Sequence, residues 1–449
     1  MQNKLRRIPK VDKLLSHQKL SSYPQSLIKK IIQNQLYSLR LEIQQNPSKT
    51  FCEDEIINEV ISRYYSLTHS SIQPLINATG IIVQTNFGRS IFNQKIVSKI
   101  IPLLTEYSNL EYDLLKGKRG DRNDHIKEII CMLFDCEDAI VVNNNAAAVM
   151  LIINTFAKNK EVVISRGELV EIGGSFRIPE VITGAGGILC EIGSTNKTHL
   201  KDYENAINEN TAIIAKIHQS NFTQIGFTQE VDFHLIQKLA QEKGLIDFYD
   251  IGSGYLTGIP NLSEPSLLEI ASLKPSLVSF SGDKLLGAGQ AGIIFGKKNL
   301  ISKLKQNHLL RALRIDKINL AILAETLIAY LKEDFNLIPT IKLLSQNQGD
   351  LLKKAEFLQD LLKPIGNFTC KIIPTEAKAG GGSLPRDSFQ SYGILLKHST
   401  INTSKLSREL RLSRLMHRVI QDSVLIDVFC LEKSHFSQIK IILESIQNS

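Results

Sequence analysis

The six cysteines of this 449-residue chain form no CxxC pair and no dense, even spacing, so neither a zinc ribbon nor a disulfide framework is indicated, and no metal site is expected. Free thiols suit a reducing cytoplasm. The N-terminus is basic but lacks the apolar stretch of a signal peptide, and no run approaches the roughly 18 apolar residues of a membrane helix. A soluble, cytoplasmic protein without a membrane partner is therefore expected. Glycine (27) and proline (13) are too few for a collagen-like or disordered chain, which 43% hydrophobic and 22% charged residues also exclude. There is no internal repeat and no low-complexity segment. Beyond residue 50 there is no charge excess either: 43 Lys/Arg face 43 Asp/Glu. A protein that is basic throughout, of the kind that coats DNA, is thereby disfavoured.

The net charge of +8 resides in the first 50 residues, where ten Lys/Arg meet only Asp12 and Glu42. Apolar residues recur at helical spacing over 27–45 (Ile28, Ile31, Ile32, Leu36, Leu39, Ile43), with Lys29, Lys30 and Arg40 on other faces. A second helix is expected over 53–67. Residues 1–67 thus read as a basic helical module, whose Lys4, Arg6, Arg7, Lys10, Lys29, Lys30 and Arg40 suit a phosphate-tracking surface, although a basic solvated arm with no partner would carry the same charge. A linker over 68–85 follows.

The body has a different texture. Short Val/Ile-rich runs at 139–142, 161–165, 188–192, 212–217, 245–249, 277–280 and 291–295 alternate with helical stretches. Continuous apolar strands between helices predict an α/β fold with a mostly parallel seven-stranded sheet covered on both faces, here assigned to 86–330. A smaller α+β domain is expected over 331–449. In such sheets ligands gather beyond the carboxyl ends of the strands.

The residues at those ends carry the chemistry. After the first run, Asn144, Asn145 and Ala146 open a helix whose free N–H groups suit a phosphate, although asparagine capping alone would explain them. His218, Ser220 and Asn221 follow the fourth run, and Asp250 follows the fifth. Ser281, Asp283 and Lys284 follow the sixth, in a Gly-rich loop. Pyridoxal phosphate requires a phosphate cradle, a carboxylate to keep its pyridine nitrogen protonated and a lysine for its aldehyde. Asn145, Asp250 and Lys284 supply these in the chain order of fold-type I pyridoxal-phosphate enzymes. Ser281 would add a phosphate contact, and Ser220 or Asn221 would reach the ring hydroxyl. His218 either stacks on the ring or simply ends its strand.

Longer motifs narrow the family. They are Asn77-Ala78-Thr79-Gly80, Gln84-Thr85-Asn86-Phe87-Gly88-Arg89, Leu110-Glu111-Tyr112-Asp113-Leu114, Gly117-Lys118-Arg119-Gly120, the segment 165–174, the loop 280–287 and Arg311-Ala312-Leu313-Arg314. Together these resemble the bacterial selenocysteine synthases, the L-seryl-tRNA(Sec) selenium transferases. The resemblance is densest over 75–330. It departs mildly at Gly287-Ala288-Gly289-Gln290, where relatives often carry Gly-Gly-Pro-Gln.

The resemblance implies conversion of seryl-tRNA(Sec) to selenocysteyl-tRNA(Sec), by loss of the serine hydroxyl through an aminoacrylyl-tRNA and selenium addition from selenophosphate. Lys284 would be the Schiff-base lysine and Asp283 an active-site residue. Arg89, Arg311 and Arg314 would hold the selenophosphate anion; the last two share a face if their stretch is helical. A homodecamer built from dimers, and a head that grips tRNA, are implied as well. Alternatives are a stand-alone pyridoxal-phosphate lyase of a small amino acid or amino-sugar acid, and a catalytically silent RNA-binding relative. The first has little use for a basic head, and the second would be expected to lack Lys284 or Asp250.

Overall fold

The computed structural model describes residues 5–172, 176–257, 259 and 262–447. The chain forms two compact units, Met1–Leu75 and Ile76–Ser449. In the first, Gln25–Gln45 (α1) and Glu53–Thr68 (α2) follow the apolar periodicity. Ile28, Ile32, Leu36 and Ile43 of α1 close on Ile56, Ile57 and Val60 of α2 in one buried core. Cys52 and Glu55 cap α2 reciprocally, satisfying two first-turn donors. Glu53, Asp54, Glu55 and Glu59 fall on α2, so the unit through residue 75 holds eleven Lys/Arg against six Asp/Glu. Its positive surface is accordingly local, not spread over the whole head.

In the second unit the seven expected strands are all present: Asp138–Val142 (β1), Glu161–Ser165 (β2), Ile188–Ile192 (β3), Thr211–Ile217 (β4), Ile246–Gly252 (β5), Leu277–Ser281 (β6) and Gly292–Gly296 (β7). They form one sheet in the order β1-β7-β6-β5-β4-β2-β3. All pairings are parallel except those of β7, which runs antiparallel to both neighbours. Central strands are buried along their whole length because a core covers each face, which is why they read as unbroken apolar runs. Gly292 is required where β7 passes the start of the helix that follows β1, since a Cβ there would lie 2.2 Å from the Asn144 carbonyl oxygen.

The C-terminal region is α+β as expected. Phe368–Ala377 (β8), Phe389–His398 (β9), Arg418–Ile420 (β10) and Ser423–Asp427 (β11) form an antiparallel sheet in the order β8-β9-β11-β10. Helices Gln348–Leu362 and Lys433–Gln447 contribute Leu351, Leu358, Phe436 and Ile439 to its core.

The expected linker over 68–85 needs correction. Ile76–Asn77 pairs in parallel with Leu415–Met416, Ile81 bridges Lys378, and Ala78, Ile82 and Val83 join the C-terminal core. The Asn77-Ala78-Thr79-Gly80 motif is structural. Gly80, at φ +72°, lies so close to the fully buried Asp427 that a Cβ would approach its carboxylate to 2.8 Å.

Candidate active site

The carboxyl ends of β1, β4, β5 and β6 bring together residues far apart in sequence. Lys284 follows β6 and is only 4% exposed. Burial pushes its ammonium below the ordinary lysine value; Asp250 opposes that shift and Arg89 adds to it. The Lys284 loop is strapped from outside. Ser90 Oγ donates to the carbonyls of Asp283 and Lys284 at 2.8 and 2.7 Å, and Arg89 Nη1 pairs with Asp283 Oδ2 at 2.8 Å. Arg89 adopts φ +65°, a conformation uncommon for a non-glycine residue, and the ion pair is part of what holds it.

Asp250, at the end of β5, is 5% exposed. Its Oδ1 accepts from Asn145 Nδ2 at 2.7 Å, the Gly252 amide at 3.1 Å and Ser279 Oγ at 3.3 Å. Burial raises the carboxyl's pKa against those donors and the Lys284 charge. Oδ2 accepts no hydrogen bond among the described residues, which leaves it available to a protonated ring nitrogen.

These contacts add a role to the one expected of Asn145. Its side-chain nitrogen is spent on Asp250, so the side chain orients the carboxylate, while the main-chain amide stays at the helix start. Asn144 is the N-cap of Asn145–Phe156 (α3), accepting from the Ala147 amide at 2.8 Å. The amides of Asn145 and Ala146 remain as first-turn donors for an anion.

Several buried polar groups have no partner among the described residues: Asn145 Oδ1, Ser220 Oγ and Ser253 Oγ at these strand ends, and Ser383 Oγ after Gly382. Buried hydroxyls and amides are ordinarily satisfied, so a cluster of orphans marks where a polar ligand fits. Gly382, at φ +72°, keeps the space beside the lysine open; a Cβ there would stand 3.9 Å from Lys284 Nζ and 3.3 Å from Asn221 Cβ. The Ser281 hydroxyl makes no hydrogen bond among the described residues. Lysine, free carboxylate oxygen, helix N-terminus and orphaned hydroxyls together fit pyridoxal phosphate.

Other expected residues are placed differently. Asn221 Nδ2 donates to the Glu171 carbonyl at 2.7 Å, so its amide is engaged away from the ring hydroxyl it was expected to reach. The His218 amide donates to the Asp250 carbonyl, but its imidazole Nε2 lies 3.7 Å from Glu264 Oε1. The ring lines a cavity of about 310 Å³ with Lys216, Tyr249 and Glu264, which Lys284 does not line.

The helical face expected for Arg311 and Arg314 is absent. Arg311 ends the short 3-10 turn His308–Arg311, and Arg314 forms an antiparallel bridge with Val142. Arg314 Nη1 binds Glu111 Oε1 at 2.8 Å, beside Arg119 and Arg122 at a second cavity of about 250 Å³. The Arg122 hydrogen bond, more than any other cause, holds Glu111 below the usual carboxylate range. This explains the Leu110-Glu111 motif, whose carboxylate gathers three arginines. Arg89 does not line the cavity to which Arg314 contributes.

Glu168 has no role that its sequence neighbourhood reveals. It is 3% exposed and accepts from Lys216 Nζ at 3.2 Å and the Ile217 amide at 3.0 Å, fixing the end of β4 that carries His218 and Ser220. Burial alone would lower the Lys216 pKa, but Glu168 and Glu230 raise it; burial pushes the Glu168 carboxyl up against the Lys216 charge and the Ile217 amide. Replacing Glu168 with Ala takes the buried carboxylate from Lys216, leaving it the exposed Glu230 and the Val231 carbonyl, and removes the acceptor of the Ile217 amide, so it is expected to cost about 3 kcal/mol. Glu230→Ala, at a mostly exposed carboxylate, should cost about 0–1 kcal/mol. Urea midpoints of the two variants test this, and equal shifts would refute the assignment.

Comparison with known proteins decides among the readings. The family model described as "SelA: L-seryl-tRNA selenium transferase" matches residues 75–432. The chain belongs to the L-seryl-tRNA selenium transferase family. It is 49% identical to the L-seryl-tRNA(Sec) selenium transferase of Aliarcobacter butzleri, covering 99% of both chains. It is 47% identical to that of Helicobacter hepaticus, covering all of both. Among solved structures, D-glucosaminate-6-phosphate ammonia-lyase superimposes with a TM-score of 0.59 at 18% identity, over 86% of this chain and 98% of that one. That likeness concerns the fold. The match to the selenium transferases extends through the basic head.

Proposed function

We propose that this enzyme converts L-seryl-tRNA(Sec) to L-selenocysteyl-tRNA(Sec), with pyridoxal phosphate held at Lys284 and selenophosphate as selenium donor. The observation that carries the reading is the buried Lys284 beside Asp250 at adjacent strand ends, in a chain whose head and body both match the selenium transferases. When bound, pyridoxal phosphate stores the electron pair released as the serine Cα loses its proton. The protein supplies the rest. Lys284 Nζ, its pKa depressed by burial, is the base at Cα. Asp250 Oδ2 carries the negative charge that holds a proton on the ring nitrogen, and Asn145 and Ser279 fix that carboxylate in place. The first-turn amides of α3 receive the phosphate. Arg89, adjacent to Lys284 through Asp283, meets the incoming oxyanion.

Arg311 and Arg314 join the same anion when sites are shared between subunits, and a homo-oligomer built from dimers, ten subunits in all, is part of this proposal. The enzyme acts in the cytoplasm, where charged tRNA is found; among the described residues no helix is long and apolar enough to cross a membrane.

The head supplies tRNA contacts. Arg6, Arg7, Lys10, Lys29, Lys30 and Arg40 are exposed and form no ion pair among the described residues, whereas Lys13 and Lys19 are paired with Glu53 and Asp54. Lys4 lies outside the described residues. The full-length enzyme is expected to bind tRNA(Sec) more tightly than tRNA(Ser), with affinity falling steeply as salt rises. Equal affinity for the two tRNAs would overturn the selenium-transfer reading.

A further inference from the structure

One face of α1 has a composition that charge alone does not explain. Lys30, Gln33, Tyr37, Arg40 and Gln44 recur at spacings of three and four, so they form a single stripe along the helix, with Lys29 at its shoulder. All are exposed, and the stripe lies opposite the buried Ile28, Ile32, Leu39 and Ile43. It contains no acid. The one carboxylate of α1, Glu42, lies on a flank and pairs with Lys49. Lys30 and Arg40 are ten residues apart, about 15 Å along the axis.

Tyr37 stands between them, 62% exposed. The other head tyrosines are accounted for. Tyr23, Tyr64 and Tyr65 pack edge-on with ring centroids 4.7–6.1 Å apart, and the Tyr23 and Tyr65 hydroxyls share a hydrogen bond at 3.2 Å. Tyr37 has neither a ring contact nor a hydrogen bond among the described residues. An exposed aromatic ring flanked by unpaired cations on a rigid helix is the arrangement by which proteins hold single-stranded nucleic acid. The cations track phosphates, and the ring offers a flat apolar surface to an unpaired base.

We propose that Tyr37 stacks on an unpaired nucleobase of the tRNA while Lys30 and Arg40 hold the flanking phosphates. This deepens the reading of the head as the tRNA-binding unit and rests on it. The face therefore recognises looped-out RNA, where a base is available for stacking, and not only the charge of a duplex.

The test measures the affinity of the full-length protein for tRNA(Sec) across a salt series, for wild type, Tyr37→Ala, Tyr37→Phe and the pair Lys30→Gln/Arg40→Gln. Alanine favours helix at an exposed position, so the fold should persist, and circular dichroism checks it. Tyr37→Ala should weaken binding about 5- to 100-fold with an unchanged salt slope, and Tyr37→Phe should bind nearly as wild type. The charge variant should flatten the slope by roughly 0.7–0.9 for each cation removed. Undiminished affinity for Tyr37→Ala overturns the stacking role. So does a Tyr37→Ala loss that appears together with a change in subunit number, which would assign the ring to a protein contact. Failure of wild type to bind tRNA(Sec) would instead strike the functional reading itself.

Discussion

Lys284→Ala should fold normally, bind pyridoxal phosphate without the visible absorption of the lysine-bound cofactor, and lose activity by at least about 10²–10⁴-fold through the missing proton transfer alone. The structural argument for normal folding is specific. An alanine removes a buried ammonium whose desolvation works against the folded state, and Asp250 keeps its three donors from Asn145, Ser279 and Gly252. The β6 end remains strapped by Ser90, which bonds main-chain carbonyls, and by the Arg89–Asp283 pair. None of these contacts uses the lysine side chain. Lys284→Arg separates charge from chemistry, because a guanidinium keeps the positive charge beside Asp250 but does not give up its proton. Arginine should therefore fail as completely as alanine.

A pH series on wild type adds an independent check. The folded pKa of Lys284 lies below the ordinary 10.5, so the neutral amine is present at lower pH than for an exposed lysine. Capture of the free aldehyde should rise with pH through that lowered value. Lysine-bound absorption persisting in Lys284→Ala would refute the assignment.

The sheet was legible because its central strands are buried on both faces. A run such as Val162-Val163-Ile164 has no solvent side to alternate with, and the unbroken apolar pattern marks it directly. Strand ends then follow, and with them Asp250 and Lys284. What was not legible is what each side chain touches. Nothing in Asn145 as a letter separates a phosphate ligand from a carboxylate partner; that depends on β1 and β5 ending on the same side of the sheet with β6 and β7 between them.

Arg311 and Arg314 illustrate a related limit. Three-residue spacing means one face only within a helix, and the local chain instead leaves a 3-10 turn to bridge Val142. Residues 76–83 lacked a signal for another reason. Their partners, Leu415, Met416 and Lys378, are some 300 residues further along, and short edge pairings carry little periodicity. Tyr37 was hidden in plain view, since an aromatic within an amphipathic helix is usually core, and only its exposure sets it apart.

Asp250→Asn should retain the fold and the bound cofactor yet slow the reaction by about 10²–10³-fold, the usual loss when one preorganised electrostatic group is removed from a buried site. The substitution conserves volume, and its amide oxygen can still accept from Asn145 and the Gly252 amide, so packing at the end of β5 is preserved. What is lost is the charge at Oδ2. In a site this buried, an anion is sustained only where something compensates for its desolvation. Three donors on Oδ1 and the nearby Lys284 do so in the protein alone, and burial still leaves the carboxyl with a raised pKa. A protonated ring nitrogen held by Oδ2 would complete the compensation, and the carboxylate would in turn keep that nitrogen charged. Asparagine breaks this reciprocity because it is neutral and cannot favour the protonated ring.

One readout should therefore move while two stay fixed. Turnover should fall while tRNA affinity stays at its wild-type value, since no residue of the head is altered. Lysine-bound absorption should persist, because Lys284 is intact. An Asp250→Asn enzyme with turnover within a few-fold of wild type would show that ring protonation is maintained by another group, and the electrostatic role of the carboxylate at the end of β5 would fall with it.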